Sequence, residues 1–273
     1  MSGPAPAPFV SVHDHGGHVA EVRLERPPTN FFSVGMIRAL ADALEALDAR
    51  ADDGAADDVR AVLLTASGKH FCAGADLSPD EGPGGDADAA DAADGPSALY
   101  AAAVRLFRTR APIVAAVQGA AIGGGLGLAL AADLRVGAPE ARLSANFARL
   151  GFHHGFGLTV TLPMVVGPQR AMELLYTGRR IDGERAHELG LLDHLVPLDE
   201  VHGRALDLAA EIAGSAPLAV ESIRATLRGD LADRVAAATD HERREQTRLR
   251  RTSDFAEGTR AMAERRPPRF ERR

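Results

Sequence analysis

Pro112-Ile-Val-Ala-Ala-Val-Gln-Gly-Ala-Ala-Ile-Gly-Gly-Gly-Leu-Gly-Leu-Ala-Leu130 changes its period in the middle. Ile113–Val117 is a short apolar run with β-branched residues, which predicts a buried strand. The Ala/Leu pattern after the glycines predicts a helix to about Ala132. Between them, Gly123, Gly124 and Gly125 put bare backbone N–H groups at a helix start, where negative charge is favoured. Glycine also lets a ligand approach the backbone closely. The run is not a dinucleotide fingerprint, because Leu128 stands where the third glycine of GxGxxG belongs, and no Gly-Lys-Ser/Thr follows for a P-loop. Two readings stay open from these residues alone: an anion site, or a helix packed tightly on a strand.

On both sides of this stretch, strand-then-helix units predict an α/β architecture. Val19–Leu24 alternates like a strand and ends at Arg26-Pro-Pro28. From Ser33 to Asp48, Met36, Ile37, Leu40, Leu44 and Leu47 share a helix face. Residues 59–65 read as a buried strand, Ser97–Thr109 as a helix and Leu134–Val136 as a short strand. Beyond about Val201 the pattern is helical, with helices expected at 205–214, 218–228 and 235–251. Residues 1–8 read as a flexible Pro/Ala tail, 9–204 as an α/β core and 205–273 as a helical lobe. The acidic low-complexity stretch 78–96 cannot bury enough apolar surface to order itself, so a mobile loop is expected there.

The chain has 273 residues, 45% of them hydrophobic and 25% charged, which suits a globular fold with a large core. Its net charge of −7 argues against nucleic acid as a partner. No apolar stretch is long enough to span a bilayer, and the first residues lack the pattern of a signal peptide. Cys72 is the only cysteine, so no intrachain disulfide forms, and a cytoplasmic setting is expected.

A second glycine-bearing turn, Gly68-Lys-His-Phe-Cys-Ala-Gly-Ala-Asp-Leu77, follows the strand at 59–65. It too offers a backbone amide beside small residues. Two such turns form a donor pair able to hold an enolate or tetrahedral oxyanion.

These turns resemble those of the crotonase family, also called the enoyl-CoA hydratase/isomerase family. Phe71-Cys-Ala-Gly-Ala-Asp-Leu77 is similar to its first oxyanion turn, and Gln118-Gly-Ala-Ala-Ile-Gly-Gly-Gly-Leu126 to its second. Arg26-Pro-Pro-Thr-Asn30, Ala131–Val136, Ser253–Gly258 and Glu264–Phe270 match further family segments. The resemblance, from about Val19 to Phe270, implies a superhelix of repeated β-β-α units with a C-terminal helical lobe that builds trimers or dimers of trimers. It implies an acyl-CoA substrate, with coenzyme A as part of that thioester, no permanently bound cofactor and no metal. It assigns the oxyanion amides to Ala75 and Gly124, and CoA contacts to Ala73, Leu77 and, from a neighbouring subunit, Arg265. Pro28 replaces a lysine that often contacts phosphate.

The family's hydratases carry glutamates at positions that are Gly127 and Phe147 here, and other members carry an acid at the position of Gly155. None of these residues moves a proton, so ordinary hydration lacks its acid and base. His153 and His154, beside Gly155, are the candidates to replace them, with helix capping near Leu158 or a solvent-facing position as the alternatives. Phe147 is expected to line an apolar acyl pocket. Three functional readings follow: an enolate-stabilising enzyme of this family, a decarboxylase-like member, and a non-catalytic acyl-CoA binder. Asp76 is read as a structural support of its turn, Cys72 as buried filler, and His13, His15 and His18 as a solvated loop. The Arg/Glu-rich helix at 241–251 is read as a solvated or subunit-contacting face.

Overall fold

The computed structural model describes residues 9–52, 58–75 and 95–273. Leu77, Asp76 and most of the expected acidic loop lie outside the described residues. A hairpin opens the fold, β1 (Val10–Asp14) with β2 (Val19–Leu24), paired antiparallel. The histidines read as a solvated loop therefore sit on a strand and its turn.

β2 then pairs in parallel with β3 (Ala61–Ala66), β3 with β4 (Ile113–Val117), β4 with β6 (Leu134–Gly137), and β6 with β9 (His194–Leu195). The six strands run in the order β1-β2-β3-β4-β6-β9. β3 and β4 are buried at every position, as their continuous apolar sequences require for parallel strands covered on both faces. On one face, α1 (Val34–Asp52) lays down Met36, Ile37, Leu40, Leu44 and Leu47, with α2 (Gly95–Arg105) beside it. α2 starts two residues before the expected helix. α7 (Val201–Ala213) covers the other face through Ala205, Leu208, Ala209 and Ala213, against Leu63, Val114 and Ala116. The boundary expected between 204 and 205 thus falls inside a helix packed on the main sheet.

A smaller sheet of β5 (Ala120–Ile122), β7 (Arg142–Ser144) and β8 (Ile181–Asp182) branches from the end of β4. α3 (Gly124–Ala129) leaves β5 directly and stops three residues before the expected Ala132. A short 3-10 turn at Asn146–Leu150, α4 (Leu158–Val166), α5 (Pro168–Thr177) and, after β8, α6 (Gly183–Glu188) follow. The C-terminal region holds α8 (Pro217–Arg228), α9 (Leu231–Leu249) and α10 (Ser253–Ala263). Counting α7, four helices stand where three were expected. Ser253–Ala263 is the added one, and Thr252 caps it by accepting from the Phe255 N–H.

Candidate active site

Backbone hydrogen bonds join the two glycine-bearing turns. The Phe71 N–H donates to the Gln118 carbonyl at 2.9 Å and the Cys72 N–H to the Ala120 carbonyl at 2.9 Å. The Ile122 N–H returns to the Cys72 carbonyl at 3.0 Å, so Cys72 and Ala121 form a parallel bridge. On its other side the first turn is held by the segment 29–32: Ala73 N–H donates to Thr29 O at 2.9 Å, and Phe32 N–H to Gly74 O at 3.0 Å. The sequence separates Ala75 from Gly124 by 49 positions, and this zipper brings them to one cavity wall.

Within that network the amides of Ala75 and Gly124 have no protein acceptor among the described residues. Gly124 is the first residue of a six-residue helix, so its N–H lacks an intrahelical partner. Both residues line a cavity of about 620 Å³. The glycines serve the packing reading as well. A Cβ at Gly124 would stand 2.5 Å from Cζ of Phe32, and one at Gly125 would overlap the Cys72 carbonyl oxygen. Gly74 has φ +94° and its Cβ would lie 2.8 Å from the Ile122 carbonyl oxygen, so the first turn also requires glycine.

The cavity wall is mostly apolar. Phe32, Phe147, Leu150, Phe152 and Phe156 contribute, with Phe32 and Phe156 rings 5.6 Å apart and Phe147 and Phe152 5.4 Å apart. Phe147 lines the wall, as expected from the sequence. Gly127 is closed off: a Cβ there would lie 2.7 Å from Cβ of Phe156. At Gly155 the space is taken by the Tyr100 hydroxyl and by Nε2 of Gln246, which would be 2.6 Å from an added Cβ. Tyr100 OH donates to Gln246 Oε1 at 2.9 Å, and Gln246 Nε2 donates to the His153 carbonyl at 3.0 Å. Burial pushes the Tyr100 phenol well above its ordinary pKa. Among the described residues on this wall there is no aspartate or glutamate.

His153 and His154 are not on the wall. Their rings stack at 4.1 Å; His153 Nδ1 is 2.8 Å from the His154 carbonyl, and His154 Nε2 is 2.9 Å from Thr159 Oγ1. Neither ring is among the residues that line the cavity, where the expected proton chemistry would take place. Burial, aided by the charges of His153 and His241, also pushes His154 down to about 3, which keeps it neutral near pH 7. Nor do they cap α4. Glu242 of α9 does so, accepting from Gly157 N–H at 2.9 Å, Thr159 N–H at 3.0 Å and Thr159 Oγ1 at 2.6 Å. Among the described residues the one histidine on the wall is His70, whose Nδ1 accepts the Ala120 N–H at 3.2 Å. Burial and the nearby Lys69 and Arg180 charges lower its pKa.

Ala73 lines the cavity, and Arg265 is exposed just beyond α10 and is not among the lining residues. Cys72 is fully buried and its thiol is pushed up to about 12, so it is inert filler. The amino-terminal histidines do not converge. His13 meets Ser11 at 2.9 Å, His15 meets Glu21 at 2.6 Å and His18 meets Asp58 at 2.5 Å. Tyr100, Gln246 and Arg250 are wall residues that sequence reasoning missed. The buried positions Leu231, Val235, Thr239, Glu242 and Gln246 of α9 repeat at helical spacing, and Arg250 follows one turn later. That stripe was the available signal within an Arg/Glu-rich run.

The profile of the enoyl-CoA hydratase/isomerase family matches residues 14–273. The chain is 33% identical over 259 residues to enoyl-CoA hydratase EchA19 of Mycobacterium tuberculosis, covering 94% of each chain. It is 32% identical over 257 residues to the carnitinyl-CoA dehydratase of Salmonella paratyphi A, covering 92% of this chain and 94% of that one. The crystal structure of an enoyl-CoA hydratase/isomerase from Pseudoalteromonas atlantica superposes with a TM-score of 0.82 at 28% identity, over 96% of this chain and all of that one.

Proposed function

Because this chain belongs to the enoyl-CoA hydratase/isomerase family and has its crotonase fold, we propose that it is an acyl-CoA enzyme whose Ala75 and Gly124 amides hold the thioester oxygen as an enolate forms. The observation that carries this reading is the pair of unpartnered N–H groups on one cavity wall, fixed by the Cys72–Ala121 bridge. Such preorganised donors stabilise charge that develops in the transition state without reorganising. Ala73 and Leu77 would meet the CoA adenine, and Arg265 would reach the CoA of a neighbouring subunit. Exposed Leu218, Ile223 and Leu227 on α8 are compatible with assembly into trimers.

Ordinary hydration does not fit the wall. The positions where the family's acids would stand are Gly127, Phe147 and Gly155. Phe156 fills the space beside the first, the second is an apolar ring, and Tyr100 with Gln246 fills the space at the third. Enolate formation by decarboxylation asks less of the protein. The C–C bond to the departing carboxylate breaks, its electron pair enters the enolate, CO₂ leaves, and water returns a proton to the α-carbon. The off-wall positions of His153 and His154 also favour a second reading, binding without turnover.

Purified protein assayed with crotonyl-CoA and a panel of acyl-CoA esters tests this. The expected result is binding without brisk crotonyl-CoA hydration; brisk hydration refutes the reading of the three positions. Ala75→Pro, which deletes one donor, is expected to abolish turnover of any ester the wild type consumes, and retained turnover refutes the donor assignment. Tight binding of acyl-CoA with no turnover across the panel selects the second reading.

A further inference from the structure

We infer that Arg250 is a specificity residue for an acyl group that carries a terminal carboxylate; this rests on the acyl-CoA reading above. Arg250 lines the cavity. Its guanidinium carbon lies 5.3 Å from the Phe152 ring centroid and 5.7 Å from that of Phe255, so two aromatic faces hold it in place. Its Nε is buried with no hydrogen-bond partner, and no side-chain hydrogen bond or ion pair of Arg250 occurs among the described residues. Burial lowers its pKa, as it does for Arg135 and Arg224.

The other buried arginines are treated differently. Arg135 reaches Asp193 at 2.8 Å as well as the Leu191 and Ala132 carbonyls. Arg224 and Arg228 share Asp133, at 3.0 and 2.8 Å. Each buried guanidinium elsewhere has a carboxylate, as the desolvation cost of a charge demands. Among the described residues Arg250 lacks one, and the neighbouring polar groups are already engaged. Tyr100 and Gln246 satisfy each other, and both Glu242 oxygens are occupied by the start of α4. Arg250 follows the last residue of α9, where a cation is favoured; its backbone N–H donates to the Gln246 carbonyl, but its guanidinium bonds none of that helix's carbonyls.

The two ends of the cavity differ. Around Arg250 the wall is buried: Phe152, Leu150, Tyr100 and Gln246 are each less than one-tenth exposed. Arg142 and Arg180 line another part and are exposed. The enclosed end suits the acyl group, and the open, cationic end suits a solvated anionic carrier. A planar guanidinium with free N–H groups matches a carboxylate bidentately. A neutral acyl chain would leave the charge unpaired, which disfavours it.

Calorimetric binding to the full chain tests this, using glutaryl-CoA and succinyl-CoA against hexanoyl-CoA and valeryl-CoA. The wild type is expected to bind the carboxylate-bearing esters about 10-fold or more tighter, as a fully desolvated charge pair implies. Arg250→Met should erase that preference by weakening the carboxylate-bearing esters far more than hexanoyl-CoA, and Arg250→Lys should keep part of it. Thermal melts confirm that each variant is folded; if Arg250→Met does not fold, Arg250→Lys and the wild-type ester comparison decide. Equal or tighter binding of the neutral esters by the wild type overturns the inference, as does a preference that survives in Arg250→Met. If none of the four esters binds, the acyl-CoA reading itself falls; if all bind alike, only the role of Arg250 does.

Discussion

Gly127→Glu places a hydratase-type carboxylate where the family resemblance puts one, and the structure sets its cost. The new Cβ would lie 2.7 Å from Cβ and 3.0 Å from both Cδ1 and the carbonyl oxygen of Phe156. Two of these atoms belong to the backbone or the root of a side chain, and neither can swing away. Overpacking of this kind costs about 1–3 kcal/mol. A carboxylate left without a partner in an apolar wall adds a further few kcal/mol, on the order of 3. The sum, roughly 5 kcal/mol, corresponds to a fall in Tm of about 10–20 °C for a domain of this size. Gly127→Ala carries the steric part alone and is expected to lose about a third of that. Differential scanning calorimetry gives both melts, and a crotonyl-CoA assay tests for gained hydration. A Gly127→Glu variant that keeps the wild-type Tm, or that hydrates crotonyl-CoA, would refute the claim that Phe156 has closed this position.

Gly124→Ala pushes its Cβ against Phe32 and displaces an amide donor; turnover of any consumed ester should fall by about 10²–10³, and an unchanged rate would remove Gly124 from the site. His154→Gln is expected to leave the pH–rate profile between about pH 5 and 8 unaltered; a limb in that range that disappears in the variant would restore the histidine to the chemistry. Glu242→Gln weakens the charged cap on Gly157 and Thr159 and should cost about 1.5–3 kcal/mol in urea unfolding. The Glu21 carboxyl is held down at about 2: burial opposes its ionisation, and hydrogen bonds from Thr65, His15 and Arg23 outweigh that. Its folded pKa lies below its unfolded value of 4.5, so its contribution is complete above that pH and fades as pH falls toward 2. The stability difference between wild type and Glu21→Gln should shrink across that window; a difference independent of pH would contradict the assignment.

Much of the frame was legible because it depends on local period. The α1 face from Met36 to Leu47 and the buried strands around Leu63 and Val114 are set by spacing alone, and the structure buries them as read. The two turns were legible because glycine marks backbone that a Cβ would obstruct, at Gly74 and Gly125 above all. The pocket's polar end was not. Tyr100 meets Gln246 and Arg250 across a long chain separation, and in a run such as Arg243–Arg251 only the helical stripe that ends at Gln246 sets Arg250 apart from its solvated neighbours. The orientation of the His153–His154 pair was not legible for a similar reason. Adjacency to Gly155 placed the residues near the wall, but side-chain direction was decided by Thr159, a neighbour across the turn. β1 was missed because its residues are half-buried to exposed and its alternation, Val10 and Val12 against Ser11 and His13, is only a few residues long.

A crystal structure with a non-reactive acyl-CoA thioether or thioester analogue bound tests the central claim most directly. The account predicts the carbonyl oxygen, or its surrogate, about 2.7–3.1 Å from both the Ala75 and Gly124 amide nitrogens, with no carboxylate in reach of the α-carbon. An oxygen bound away from either amide, or a glutamate or aspartate poised at the α-carbon, would contradict it.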